Sequence, residues 1–294
     1  MCPRRCGVPR GQGFCGADDD IKVASVCLHR GEEPPLVGPD NLGIVNVFFA
    51  HCNLQCVYCQ NWQISGRNVK AHTMTPDDVA DEVCRLLPES SGLMGLVTAA
   101  HYIDSVPTII DAVRKHGFTP TVVYNSGGYE SVEALKRLEG LVDIYLPDLK
   151  YMDKQLAMRW SHAEDYPEVA AAALMEMKRQ VGGGLKCDEQ GIAYRGMIVR
   201  HLVLPGCIGN SLQCLEWLAN NFNPFNLHLS LMAQYFPPRE GLEPPLNRTI
   251  TPDEYQQVVE KAEALGLTAG WLQEMSAESN YRPDFSQDNN PFEK

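Results

Sequence analysis

The sequence predicts an α/β fold built on a parallel, open sheet, and three observations carry that expectation. β-rich runs and helix-periodic runs alternate from residue 44 to residue 272, which requires parallel strands joined by crossover helices. Two of the helix starts are spelled out, as Thr75-Pro76-Asp77-Asp78 and Thr251-Pro252-Asp253-Glu254. In each, Thr caps, Pro suits the first helical position, and the acids suit the positive end of the helix dipole. The strands number six strong ones and a weaker seventh, too few to close an eightfold barrel.

Taken in order, Gly43-Ile44-Val45-Asn46-Val47-Phe48-Phe49-Ala50 is a strand over 44–50. The helix opened at Thr75 carries the apolar stripe Val79, Val83, Leu86 and Leu87. A strand over 93–99 precedes a helix over 104–116, with Val106, Ile109, Ile110 and Val113 on one side and Gly117 at its end. The pattern repeats as strand 120–124, helix 130–138 and strand 142–146, then a long Ala/Met-rich helix over 166–181 closed by three glycines. Strand 197–204, helix 211–220, strand 227–232 and helix 251–265 follow, and 267–272 is the weaker last strand. Residues 1–42 are rich in Gly, Pro, Arg and Cys without a period, and are expected to be a loop-rich, Cys-rich N-terminal extension. Residues 276–294 are expected to be a polar surface tail.

With 294 residues, 44% of them hydrophobic and 21% charged, the chain has material for a sizeable core. A net charge of −12 argues against nucleic acid as the main partner. No apolar run approaches the ~20 residues that span a bilayer, and Met1 to Cys6 lack the apolar segment of a signal peptide. The expectation is a cytoplasmic protein without a membrane partner.

The chain has 11 cysteines, and seven of them fall within the first 59 residues. An odd number without an export signal favours reduced thiols that serve as ligands. The sharper group is Cys52-x3-Cys56-x2-Cys59, just past the C-terminal end of the first predicted strand, where parallel α/β folds place their chemistry. Three thiolates on one loop hold three irons of a four-iron cubane and leave the fourth iron open. Zinc is the competing metal, but structural zinc sites complete such a loop with a distant second pair of ligands, and none follows here.

The pattern C-x3-C-x-Φ-C, with Φ aromatic, is here Cys52, Cys56, Tyr58 and Cys59. It resembles the signature of the radical S-adenosylmethionine (radical SAM) enzymes. The matching spans cover most of residues 43–273 and look closest to the branch of the pyruvate formate-lyase activating enzyme. The resemblance implies an open, partial (β/α)6 TIM-like barrel over 43–275. It implies a [4Fe–4S] cluster on Cys52, Cys56 and Cys59 whose open iron takes S-adenosyl-L-methionine (AdoMet). Reductive cleavage of AdoMet would yield a 5′-deoxyadenosyl radical that abstracts hydrogen from a substrate. In the closest branch that substrate is a glycine of a partner glycyl radical enzyme, and the electron donor is a flavodoxin or ferredoxin. The alternative class is a non-catalytic iron–sulfur or zinc protein, for electron transfer or as a scaffold.

The predicted strand ends supply the candidates for binding AdoMet, along with Tyr58. Where the family usually carries Gly-Gly-Glu, this chain has Thr98 and His101. His101 could be a ligand, a proton carrier or a surface residue, and the first and last are equally weighted. Asn125, after the third strand, resembles the Asn-Gly turn of activating enzymes. Asp148 and Lys150 match the family's Asp-x-Lys, and alternation lets both face the mouth. Arg200 matches the basic residue of the fifth strand, whose implied task is to anchor a carboxylate. His201 faces the other way, and Gln234 and Tyr235 are candidates for the substrate side. Cys2, Cys6, Cys15 and Cys27 are a candidate second site, for zinc or another Fe–S cluster, against the alternative of loop-buried free thiols.

Overall fold

A computed structural model describes residues 2–279, 282–287 and 290–293. Five strands and α-helices precede the first expected helix: β1 (Lys22–His29), α1 (Pro34–Val37), β2 (Ile44–Phe49), α2 (Trp62–Ser65) and β3 (His72–Thr73). The alternation then runs α3 (Pro76–Leu86), β4 (Leu93–Val97), α4 (Val106–Lys115), β5 (Thr121–Ser126), α5 (Val132–Lys136) and β6 (Ile144–Pro147). The second half holds α6 (Lys154–Ser161), α7 (Tyr166–Val181), β7 (Leu185–Cys187), β8 (Ala193–Leu202), α8 (Ile208–Asn221), β9 (His228–Met232), α9 (Pro252–Ala264) and β10 (Gly270–Leu272).

β2, β4, β5, β6, β8, β9 and β10 pair in that order, all parallel. β1 joins the β2 edge antiparallel and β3 adds to β1, while β7 forms an antiparallel pair with β8. The sheet does not close: β10 and β3 are its two ends. The expected open α/β barrel is therefore the fold. The capping reading holds in detail, since Thr75 and Asp78, and likewise Thr251 and Glu254, cap α3 and α9 reciprocally.

Alternation along the strands sorts the interior. Val45, Val47 and Phe49 of β2 pack outward under the helices in the main core. Ile44 faces the bore, where it meets Leu93, Val123, Ile144 and Ile198 from the neighbouring strands, and Leu36 of α1 plugs this end. The next inward residue of β2 is Asn46, and Gly95 of β4 makes room for it: a Cβ there would lie 1.9 Å from the Asn46 Oδ1. Above this level the bore is polar and open.

Two terminal expectations are corrected. Residues 1–42, whose Met1 lies outside the described part, are more than a loop extension. Lys22–His29 pairs with β2, with a register shift between Val23 and Ser25 that brings Val23, Val26 and Leu28 to one face, where Val23 and Leu28 are buried and Val26 is half-buried. The described part of 276–294 is more than a surface tail; residues 280, 281, 288, 289 and 294 lie outside it. Phe285 is buried against Phe48 at 5.4 Å between ring centres, and Phe292 stacks on His29 at 3.9 Å. Gln63 donates to Asp284 at 3.0 Å, and Asn290 donates to the Leu28 carbonyl at 2.8 Å. α6 was also not anticipated; the Asp153 carboxylate caps it by accepting from the amides of Gln155 and Leu156. Among the described residues, no helix is long and apolar enough to cross a membrane.

Candidate active site

One cleft of about 210 Å³ occupies the polar part of the bore. Its rim is the loop that leaves β2. His51 and Gln55 take left-handed backbone angles, φ 71° and 49°, which wind the loop tightly enough to turn Cys52, Cys56 and Cys59 onto the cleft. The His51 amide donates to the Ile64 carbonyl at 2.7 Å and the Val57 amide to the Trp160 carbonyl at 2.8 Å. The Leu54 amide points at the Cys52 Sγ at 3.4 Å, and the Ser161 hydroxyl at the Cys56 Sγ at 3.0 Å. Burial, with Cys56 and Cys59 alongside, pushes the Cys52 thiol up to about 12; burial and Cys56 push Cys59 up to about 11. Both are protonated thiols until a metal displaces the protons. Among the described residues no three His, Cys, Asp or Glu side chains close on a single ion, but thiolates that each bind a different iron need not share one point. Three thiols bordering one cleft are a donor set that fits a cubane.

Tyr58 is buried beneath the loop, where its hydroxyl accepts from that of Tyr151 at 2.7 Å and its ring meets Tyr151, Trp160 and Tyr235 edge-on. It stiffens the loop from below while still bordering the cleft. Thr98, Asn125, Asp148, Lys150 and Arg200 border the same cleft. Thr98 is held at φ 61°, with its amide donating to the Asn125 carbonyl at 2.9 Å. β5 runs on to Ser126, so Asn125 belongs to the strand and not to the turn after it.

Asp148, Lys150 and Arg200 form one partly buried charge network. The Lys150 Nζ donates to the Asp148 Oδ2 at 2.5 Å. The Arg200 Nε donates to the Asp148 Oδ1 at 3.0 Å, its Nη2 to the Asn125 Oδ1 at 2.7 Å, and its Nη1 to the Glu32 Oε2 at 3.2 Å. Burial alone would push the Asp148 carboxyl up, but Lys150 and Arg200 overcome it and hold the carboxyl down. Burial is likewise outweighed at Lys150, where the Asp148 carboxylate favours the charged ammonium. Arg200 is thus spent on this chain's own partners and orients the floor of the cleft.

Two other candidates sit elsewhere. His101 does not border the cleft: the short turn over Ala100–Ser105 swings its ring back so that Nε2 meets the Ala50 carbonyl at 2.7 Å. Burial lowers its pKa to about 3, so it is a neutral prop under the loop and not a surface residue. Tyr235 is buried with its hydroxyl on the Leu246 carbonyl, whereas Gln234 borders the cleft. His201 is buried between the Leu149 carbonyl and the Ser211 hydroxyl.

The proposed second metal group is not assembled. Cys27 is carried by β1 into an apolar cluster with Phe48, Ile64 and Phe285. Cys6 is exposed and its Sγ accepts from the Phe14 amide at 3.3 Å. Cys2 lies against Asn53 at 3.6 Å. The N-terminal segment instead braces the cysteine loop. Arg4 donates to the carbonyls of Asn53 and Ser161, each at 2.7 Å, and Gln55 donates to that of Phe14 at 3.1 Å.

Several lining residues escaped the sequence reading. The end of β1 brings His29, and the segment after it Glu32 and Glu33, to the cleft. Glu130 borders the cleft beside Ser126, and burial pushes its carboxyl up to about 7. Gln60, Gln234 and Gln273 interlock as an amide wall, with Gln234 donating to Gln60 at 2.8 Å and Gln273 to Gln234 at 2.7 Å. The two adjacent glutamates before Pro34-Pro35 were the available signal.

No family model matches the chain. It is similar to uncharacterized protein MJ0674 of Methanocaldococcus jannaschii, 29% identical over 284 residues, covering 91% of this chain and 75% of that protein. It is also similar to uncharacterized protein MJ0808 of the same organism, 26% identical over 189 residues, covering 59% of this chain and 52% of that one. Among solved structures it resembles anSMEcpe with bound AdoMet, at a TM-score of 0.51 and 14% identity, over 73% of this chain and 57% of that chain. The same protein with bound AdoMet and the Kp18Cys peptide gives a TM-score of 0.50 and 14% identity, over 75% of this chain and 60% of that chain. This chain thus spans less than two thirds of the solved chains it matches, and the likeness is one of fold.

Proposed function

We propose that this chain is a radical SAM enzyme. The observation that supports it most is the meeting of Cys52, Cys56 and Cys59 on one wall of the cleft that Asp148, Lys150 and Asn125 also border. That cleft opens where the parallel strands end, and a protein of similar fold has been solved with AdoMet bound. Cys52, Cys56 and Cys59 would hold a [4Fe–4S] cluster, which when bound supplies the electron that cleaves AdoMet to a 5′-deoxyadenosyl radical for hydrogen abstraction.

The chain's own groups do the positioning. The Lys150 ammonium, kept charged by Asp148, is placed to bind a carboxylate such as that of AdoMet. Asp148 retains lone pairs for hydroxyl or amino donors. Thr98 and Asn125 border the same cleft. The buried tyrosines and the amide wall of Gln60, Gln234 and Gln273 exclude bulk water, which protects a reactive intermediate. The finer reading is an activating-enzyme-like role: the substrate is a glycine Cα–H in a peptide loop of a partner glycyl radical enzyme, and a flavodoxin or ferredoxin supplies the electron. Reduced thiols at the rim fit a cytoplasmic setting.

The test is anaerobic reconstitution with iron and sulfide, reduction by dithionite, and an assay for 5′-deoxyadenosine after AdoMet is added. Wild type is expected to form it and Cys56→Ala to form none. Equal product from the two proteins overturns the cluster assignment, and product without activation of a glycyl radical partner limits the proposal to its coarser form.

A further inference from the structure

We propose that Ser161 is a positioning residue for the Cys56 sulfur: its hydroxyl, backed by Tyr151 and Tyr58, donates to that sulfur and makes a cluster on Cys52, Cys56 and Cys59 easier to reduce. That such a cluster is bound rests on the function proposed above; the placement of the hydroxyl does not. The Ser161 Oγ lies 3.0 Å from the Cys56 Sγ. That is closer than the Leu54 amide lies to the Cys52 Sγ, at 3.4 Å, or the Phe14 amide to the Cys6 Sγ, at 3.3 Å.

The local chemistry of α6 does not call for this contact. Ser161 is the last residue of that helix and is fully buried. A serine within a helix ordinarily bonds back to a carbonyl of the preceding turn or points to solvent, whereas this hydroxyl leaves its helix for the cysteine loop. Contacts on either side of it hold the two segments together. The Val57 amide donates to the Trp160 carbonyl at 2.8 Å, and Arg4 donates to the carbonyls of both Asn53 and Ser161, each at 2.7 Å. The donor therefore stands at the sulfur before any metal arrives.

The hydroxyl is also supplied from behind. Its oxygen is 2.8 Å from the Tyr151 hydroxyl, which is 2.7 Å from that of Tyr58, and both tyrosines are buried. A thiolate on iron has no proton to give, so the direction of the row is fixed at that end. Ser161 gives its one proton to the sulfur, Tyr151 gives its own to Ser161, and Tyr58 gives its own to Tyr151, which fills every contact of the row. The Tyr151-to-Tyr58 bond of the metal-free protein is thereby reversed. Donors in series polarise one another, the more so away from water. One-electron reduction adds negative charge to a cluster and its sulfurs, so a donor aimed at a sulfur stabilises the reduced form more than the oxidised one. The electron enters with no proton transferred, because Ser161 keeps its O–H bond.

The experiment is an anaerobic redox titration of the reconstituted protein without AdoMet, followed by electron paramagnetic resonance of the reduced cluster, with iron counted per chain. Wild type and Ser161→Ala are each expected to hold about four irons. At a fixed potential the ratio of reduced to oxidised cluster is expected to fall about tenfold in Ser161→Ala, which for one electron is a midpoint more negative by about 59 mV. Tyr151→Phe keeps the serine and removes only its donor, and is expected to lower the same ratio about twofold, or about 18 mV. An unchanged or raised midpoint in either loaded variant overturns the proposal. If Ser161→Ala does not take up iron, Tyr151→Phe decides alone by the same criterion. Wild type that takes up no iron strikes the proposed function and this inference with it, whereas a loaded wild type with an unshifted Ser161→Ala strikes this inference only.

Discussion

The rim of the cleft comes from eight consecutive residues, Cys52 to Cys59, whereas its floor joins side chains as far apart as Glu32 and Arg200, 168 positions along the chain. The rim is a local winding of backbone that contacts from Arg4, Phe14, Tyr151, Trp160 and Ser161 brace from outside. The floor exists only once β1, β2, β5, β6 and β8 have docked, because each contributes or positions one member of the charge network. A ligand loop of the first kind can be altered with little effect on the fold. A buried charge network of the second kind ties site and stability together, since removing one member strands the others in low dielectric.

That contrast can be broken by four measurements. The largest effect is expected at the rim: Cys59→Ala abolishes the cluster, so iron falls from about four per chain to near zero after reconstitution, while the urea midpoint of the metal-free protein is unchanged. A large drop in that midpoint would show that the rim is not local after all. At the floor the pattern inverts. Arg200→Met removes one charged partner from Asp148 and Glu32, which keep Lys150 and His29 with Asn46 respectively, and is expected to cost about 1–3 kcal/mol of stability, measured by urea unfolding, with the iron count intact.

The acid side of the stability curve sharpens the same point. Burial pushes the Glu32 carboxyl up, but His29, Arg200 and Asn46 outweigh it and hold the pKa at about 2, below the ordinary 4.5. A lowered folded-state pKa means stability that is present above about 4.5 and lost as the pH falls toward 2. Wild type is expected to lose about 2 kcal/mol across that window through this group, and Glu32→Gln to show a correspondingly flatter profile. An unchanged slope would remove Glu32 from the network. The smallest effect is expected where rim and floor meet: Lys150→Met weakens AdoMet binding about tenfold with iron content unchanged.

Legibility in the sequence followed the same divide. The parallel strands were readable because their buried runs and capped helices are local signals, and the span 166–181 coincides with α7. β1 was missed because its alternation is diluted by the Gly-, Pro- and Cys-rich residues around it, and α6 because its one strong mark is a single Asp153 cap. The cysteine loop was readable as a motif. Asp148, Lys150 and Arg200 were reachable by alternation at strand ends, but their pairing with Glu32 was not, since nothing local links positions 168 apart. His101 was misplaced for a conformational reason: a short turn, which residue type does not announce, reverses its direction.

The seam between β10 and β3 carries a last consequence. The strands at its two sides are joined by no ladder, and the chain beyond β10 crosses to the first strands through Asp284, Phe285 and Asn290. The hoop is clasped, not welded: what spans the seam is a pair of hydrogen bonds, from Gln63 and Asn290, worth about 0.5–1.5 kcal/mol each, and the buried Phe285, worth about 1.5–3 kcal/mol.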